Sequence, residues 1–497
     1  MLDRSSGADG TVCGLLYSEF STVATAAPDA PAIIGFDGIV VSYGRLLRAA
    51  AEIADILSHS VDSGRIVGLA VDDPGTFLAV YFAVSRIGAV VVLLDSTVED
   101  LTRQCEKFDL DLVVRDGSEG LGSIVIEGVQ ARGHGTTAGT GGDAHAYLQG
   151  DFVVHCTSGS TGAPKGIVMS EPAVLARVRS WAGEAGLTSS DVVLCALPLW
   201  HGHGIDVLAL PALLSGAQVV FQRGTHTTAR GLARAVRTHA VSIVSGLPVM
   251  YQMLVAAEGV DRSMLATLRY ALTGSAPIAA ETQQKFRERF GLPLRQGYGL
   301  GEIGIIAWDA TGAEPGTVGR PVPGVEWRLV PVPTTGAPGA AECELLVRGE
   351  GLARGYYRDS SAESAMFTDG WLRTHDLVDA GPDGWVVRGR LSTFINVTGN
   401  KVAPTVIESA LRGCAGVVDC AVVGVPDGEG GEQVAALIVA APECDANSIR
   451  RHVGSRLRPY ELPQRYTFAD SVPRTTVGKT DYDAVARLLD RLRASAP

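Results

Sequence analysis

The sequence predicts an α/β protein, and three observations carry that prediction. First, β-branched runs alternate with helix-period runs through the opening hundred residues. Second, those runs are apolar throughout rather than on alternate residues, which suits parallel strands covered on both faces. Third, 497 residues are too many for one core, so two or three domains are expected.

The elements follow in order. "AIIGFDGIVVSY" (32–43) reads as two strands about an Asp-Gly turn. "GRLLRAAAEIADIL" is a helix, "GRIVGLAV" a strand, "TFLAVYFAVSRIG" a helix and "AVVVLL" a strand again. From Gly117 to Gly150 the chain is glycine-rich, as in "GHGTTAGTGGDAH", and predicts a surface loop. Strands and helices alternate again to about Arg320. "VPGVEWRLVPVPTTGAPGAAECELLVRG" (322–349) then predicts antiparallel strands about a Pro/Gly turn. A boundary is expected near Gly389–Arg390. It divides a large N-terminal domain (1–388) and a short connection (389–392) from a small α+β unit (393–497).

Composition excludes several functions. Hydrophobic residues make up 46% and charged residues 19%, with a net charge of −12. Such acidity disfavours gripping a nucleic-acid backbone. No apolar run approaches the ~20 residues needed to span a bilayer. "MLDRSSGADG" lacks the basic start and apolar segment of a signal peptide, so a cytoplasmic protein is expected. Eight scattered cysteines without C-x2-C spacing predict reduced thiols rather than a disulfide framework or zinc site.

One stretch carries chemistry: "TSGSTGAPKG", Thr157 to Gly166. It is not a Walker A loop. Pro164 stands where the second glycine belongs, and the apolar "GIVMS" that follows is β-like rather than helical. The next helix is expected after Ser170, burying Val174, Leu175, Val178 and Trp181. The loop therefore joins two strands. Its glycines can turn backbone N–H groups inward, its hydroxyls add donors and Lys165 adds charge, which together suit phosphate.

The string resembles the signature of the adenylate-forming superfamily: acyl- and aryl-CoA synthetases, peptide-synthetase adenylation domains and luciferases. Further motifs follow in that family's order over nearly the whole chain. They are "LPLWHGHG" (197–204), "GSAPI" (274–278), "GYGLGE" (297–302), "WLRTHDL" (371–377), "GRLSTFINVTGNKVAPTVIES" (389–409) and "PRTTVGK" (473–479). The resemblance implies a large N-terminal domain with parallel-type sheets, helices and a small β-barrel-like subdomain, and a small mobile C-terminal domain. It implies attack of a carboxylate on the α-phosphorus of ATP, then transfer to a thiol of coenzyme A or of a carrier protein's phosphopantetheine. A homodimer is compatible with it; nucleic-acid and membrane partners are not expected.

The resemblance also implies roles. Lys479 is the catalytic lysine that bridges carboxylate and phosphate, and Glu302 holds Mg2+. The ATP-binding set is Thr157, Ser158, Gly159, Ser160, Thr161, Gly162, Lys165, Gly274, Ser275, Ala276, Pro277, Tyr298, Gly299, Asp376 and Arg390. Tyr298 stacks on adenine, and Asp376 accepts from the ribose hydroxyls. His201, His203 and Val207 line the acid pocket, Ser392 is the hinge, and Gly399 lies on the thiol tunnel. His203 stands where α-amino-acid-activating domains place an aspartate, which argues for an aryl or a short to medium acyl acid.

Three departures qualify this picture. Gly301 replaces a threonine whose hydroxyl touches the AMP phosphate, and glycine leaves room for a water. His375 replaces the glycine before the ribose aspartate, and Ser392 with Thr393 replaces the usual hinge residues. Two alternatives stay open: a non-thiol acceptor such as an amine (or an acid of another kind), and a weakly active nucleotide-binding relative.

Overall fold

The structure is a computed structural model. It describes residues 14–59, 65–118, 120–129, 147–148, 150–157, 165–223, 228–332, 342–391, 395–397, 400–427, 432–442, 444–475 and 479–494. Two large mixed sheets dominate it. In the nine-stranded sheet the parallel strands run in the order Pro31–Ile34, Gln218–Phe221, Val192–Cys195, Ile243–Gly246, Tyr270–Thr273 and Leu294–Leu300. Antiparallel strands close both edges: Val40–Ser42 at one, Gly304–Trp308 and Arg320–Pro321 at the other.

The seven-stranded sheet has the order Gly355–Tyr356, Lys165–Ser170, Asp151–Thr157, Val90–Leu93, Ile66–Ala70, Leu112–Asp116 and Ile124–Gly128. The last strand corrects the loop expected over 117–150. Ile124–Gly128 turns back antiparallel onto Leu112–Asp116, exposing part of its length as an edge strand, so its apolar content was too thin to stand out.

Helices fill the space between the sheets because their apolar stripes match it. Tyr43–Ser58 is capped by Ser42, and Pro74–Ile87 is capped by Asp73 with Pro74 at its start and left-handed Gly88 at its end. Phe20 and Phe82 stack at 4.0 Å in this central core. Period-two burial sorts each strand: Val193 and Cys195 enter the central core, while Leu194 enters the outer one beneath Ala229–Thr238 and Pro248–Ala256.

Val325–Pro331, Cys343–Gly349, Trp371–Gly381, Gly384–Arg390 and Phe367–Thr368 form a five-stranded antiparallel sheet. The Pro/Gly-turn strands are thus as expected, and the described pairings leave the sheet open rather than closed into a barrel. Beyond Arg390 a small α+β unit packs its own core of Cys420, Val422, Ile438 and Ile449. Its sheet holds Val417–Pro426, Glu432–Ala440 and Arg465–Phe468. Among the described residues no helix is long and apolar enough to cross a membrane, and the cysteines are free thiols.

Candidate active site

The motif residues gather beyond the carboxyl ends of the parallel strands, where α/β sheets commonly bind ligands. His201 follows Val192–Cys195, Ser245 ends Ile243–Gly246, Gly274 and Ser275 follow Tyr270–Thr273, and Glu302 follows Leu294–Leu300. The opening loop joins antiparallel strands, with Thr157 paired to Lys165. Ser170 caps the next helix, whose buried face includes Val174, Leu175, Val178 and Trp181 as expected. Ser158, Gly159, Ser160, Thr161 and Gly162 lie outside the described residues, as does the side chain of Thr157.

Tyr298, Asp376 and Arg390 form one cluster. The Tyr298 hydroxyl donates to Asp376 Oδ2 at 2.7 Å, and Arg390 Nε lies 3.3 Å from Asp376 Oδ1. Strand register sets this geometry, because Asp376 pairs directly with Arg390. Burial pushes the Asp376 carboxyl up, while Arg390 and the Tyr298 hydroxyl pull it back. Thr374, fully buried, donates to the Leu345 carbonyl and accepts from Asp376 N at 3.0 Å, fixing the bend. His375 has φ 56°, which explains why a glycine would suit this position. Its ring is held between Glu344 (3.4 Å) and the Ala365 carbonyl (3.2 Å).

Glu302 accepts a hydrogen bond from the Tyr356 hydroxyl, and Lys165 Nζ sits 5.8 Å from the centre of the Tyr356 ring. Tyr356 therefore links the lysine of the loop to the acidic residue. No cage of three or more metal-ligating side chains exists among the described residues. A lone carboxylate fits Mg2+, which is commonly held by one or two carboxylates, water and substrate phosphates. Gly299 is demanded by the turn itself: a Cβ there would lie 2.2 Å from the Gly304 carbonyl oxygen. A Cβ at Gly301 would meet Ile167 Cδ1 at 2.8 Å and no other atom within 4 Å.

His203 opens a π-helical turn, His203–Ala209. Both its ring nitrogens are engaged, Nδ1 with Ser275 Oγ at 2.9 Å and Nε2 with Ser245 Oγ at 2.7 Å. Burial, aided by the nearby charge of Lys479, depresses its pKa to about 4, so it is neutral. His201 is pushed well below the usual range, by burial first and then by Lys479. The expected histidine pair thus presents only His201 with ring capacity to spare. Ser275 holds φ 65°, a strained conformation for a non-glycine residue that its bond to His203 helps to retain. Val207 borders a small apolar void, about 10 Å³, among Trp181, Ile243, Tyr270 and Leu272, with Ser245 in its wall; it is too small to hold an acid.

Lys479 joins the two halves. Its hairpin is closed by Thr475 N to Lys479 O (2.8 Å) and Lys479 N to Thr475 Oγ1 (3.2 Å). Burial lowers its pKa, Arg390 lowers it further, and Glu302 opposes both. One ammonium is therefore within electrostatic reach of Arg390 and Glu302 and of His201 and His203. Ala276 and Pro277 continue the segment from Ser275. Ser392 and Gly399 lie outside the described residues.

Sequence reasoning missed Tyr356, Ser245, Thr374, Arg177, Asp206 and His155. Each acts through a partner at least tens of residues away or through a neighbour's backbone, so only burial of a polar residue in an apolar run could have flagged them.

Comparisons with known proteins identify the family. The model of the family described as "AMP-binding enzyme" matches residues 20–357, and that of the "AMP-binding enzyme C-terminal domain" matches residues 406–479. A feruloyl-CoA synthase of Amycolatopsis sp is 32% identical over 330 residues, covering 65% of this chain and 67% of that protein. ATP-bound MatB from Rhodopseudomonas palustris superposes with a TM-score of 0.82 at 23% identity, covering 96% of this chain and 99% of that one. The amide bond synthetase McbA from Marinactinospora thermotolerans superposes with a TM-score of 0.79 at 26% identity, covering 95% and 99%. The chain belongs to the AMP-binding enzyme family and is an AMP-forming acid ligase of the adenylate-forming superfamily.

Proposed function

We propose that the protein adenylates a small carboxylic acid lacking an α-amino group, aryl or short to medium acyl, and passes it to the thiol of coenzyme A or of a carrier protein. The observation that carries this reading is that buried Lys479 lies within electrostatic reach of His201 and His203 as well as of Glu302 and Arg390. A carboxylate and ATP are both anionic, so their approach needs a desolvated cation between them. Lys479 supplies it, holding the acid oxygen against the α-phosphate while pyrophosphate leaves. Lys165 and the loop before it escort the leaving group. Asp376, Tyr298 and Arg390 hold the nucleoside, and Gly274 to Pro277 lie along the adenine. Glu302 would hold Mg2+, which when bound neutralises phosphate charge.

The acid class follows from His203, whose neutral ring offers no anion to an α-ammonium group. The feruloyl-CoA synthase relative acts on an aryl acid by name, which supports the same class. Residues 389–392 form the hinge on which the small C-terminal domain (393–497) withdraws Lys479 for the second step, with Gly399 beside the thiol. A cytoplasmic setting supplies ATP and coenzyme A. The similarity to an amide bond synthetase favours one second reading, an amine as acceptor.

The test is ATP–pyrophosphate exchange over benzoate, 4-coumarate, ferulate, butyrate and octanoate, followed by product analysis with coenzyme A, a phosphopantetheinylated carrier protein and primary amines. Exchange with an aryl or acyl acid and thioester product is expected. Amide without thioester would favour the second reading, and no exchange with any acid would refute the adenylating role.

A further inference from the structure

Arg177 is buried on the helix Glu171–Glu184, yet it serves no motif. Its guanidinium reaches three separate segments. Nη1 donates to Asp206 Oδ2 at 3.2 Å and to the Gly301 carbonyl at 3.0 Å, and Nη2 donates to the Gly351 carbonyl at 2.6 Å. Asp206 belongs to the π-helical turn that carries His203, and His155 Nδ1 approaches the same carboxylate oxygen at 3.9 Å from the strand leading into the phosphate loop. A buried arginine with an aspartate partner costs desolvation that an apolar pair of similar size avoids. Its retention calls for a reason beyond stability.

That reason lies in the turn it holds. Glycines at 299, 301 and 304 flank Glu302, and Gly304 has φ 88°, so the segment is intrinsically loose. Gly301 also lacks any side chain that could tie it down. Two clasps from outside fix the turn: Arg177 on the Gly301 carbonyl, and Ala353 N on the Glu302 carbonyl at 2.6 Å. Arg177 further binds the carbonyl of Gly351, two residues before Ala353, so it braces both clasps.

We propose that Arg177 is a positioning residue that fixes the Gly301–Glu302 turn to the acid-pocket turn at Asp206, so that one guanidinium sets the Mg2+–ATP carboxylate and the acid site in register. This rests on the reading of Glu302 as the residue that meets Mg2+–ATP. A planar fork makes the three contacts; the ammonium of a lysine could keep Asp206 company but not span both carbonyls.

The experiment follows the rise in melting temperature with graded Mg2+ at fixed saturating ATP, alongside exchange activity. Three proteins are compared: wild type, Arg177→Lys, which keeps the buried charge pair, and Arg177→Met/Asp206→Leu, which removes both charges together. In both variants the Mg2+ concentration for half-maximal stabilisation should rise tenfold or more, while the melting temperature without ligand stays within a few degrees in the lysine variant. A wild-type Mg2+ curve in a folded lysine variant, or in the double variant, would overturn the proposal. If the double variant does not fold, the lysine variant alone decides. A wild-type protein whose melting temperature ignores Mg2+ in the presence of ATP would instead overturn the role of Glu302 itself, and the inference with it.

Discussion

The Tyr356 hydroxyl donates to the Glu302 carboxylate across 54 residues of sequence. Tyr356 pairs with Ile167 in the strand Lys165–Ser170, so that strand and the Glu302 side chain share one anchor. A hydrogen bond to a charged group is worth about 1.5–3 kcal/mol, or roughly tenfold to a hundredfold in rate when the contact is kept in the transition state. Tyr356→Phe should therefore lower the exchange rate about tenfold and the melting temperature by only a few degrees. Steady-state exchange with a thermal melt checks this; a rate within twofold of wild type would remove Tyr356 from the site.

Much of the site was legible because its residues sit in contiguous strings. The strands flanking the loop Thr157–Lys165 pair antiparallel, as expected, and Arg390 stands beside Asp376 as the resemblance implied, on a strand paired with it. What stayed hidden depends on contacts between strings. Tyr356 lies in a two-residue strand, Gly355–Tyr356, too short for any periodicity to reveal. Arg177 reads as an ordinary exposed helix position until Gly301 and Gly351 close over it. Ser245 looks like strand filler until its hydroxyl is seen on His203. The strand Ile124–Gly128 was hidden for the opposite reason: as a partly exposed edge it lacks the apolar density of its neighbours.

Lys479 should show a trade between activity and stability. Its pKa is lowered by burial and by Arg390, so its charged form is disfavoured in the folded protein relative to the unfolded chain. That penalty is fully present below the folded pKa and fades as pH rises through it. Lys479→Met should abolish exchange, at least a hundredfold, while holding or raising the melting temperature at pH 7. For wild type the alkaline limb of exchange should fall at lower pH than an ordinary lysine would give. Unchanged exchange in the methionine variant would discard the catalytic assignment.

His203 predicts an acid sensitivity. Its folded pKa of about 4 lies below the unfolded value of 6.5, so the unfolded chain takes the proton first. Stability should therefore fall as pH drops from about 6.5 and level off near 4. That gap is worth roughly 3 kcal/mol at full extent. His203→Gln, which can still bond Ser245 and Ser275, should flatten the loss. Urea midpoints at pH 7.5, 6 and 5 measure it, and His201 should leave a residual slope in the variant. An identical slope in wild type and variant would assign the sensitivity elsewhere.

Gly301 and Ile167 form a compensating pair. The Gly301 backbone is outside the left-handed region, so a side chain there meets one obstacle, the flexible end of Ile167: its Cβ would lie 2.8 Å from Ile167 Cδ1, which must shift to admit it. Gly301→Thr alone should destabilise by no more than about 1 kcal/mol, because Gly301 is exposed and only the flexible end of Ile167 must move. Ile167→Val alone, which deletes that methyl, should cost about 0.5–1.5 kcal/mol. Combined, the two should cost less than their sum, because the space one needs is the space the other releases. If the restored threonine hydroxyl reaches the phosphate as in the wider family, the double variant should also exchange faster than wild type, up to roughly tenfold to a hundredfold. A double-mutant cycle in urea midpoints and exchange rates tests both parts. Strict additivity in stability would show that Ile167 does not occupy the threonine's place, and a double variant that folds well but exchanges no faster would show that this site no longer depends on that hydroxyl.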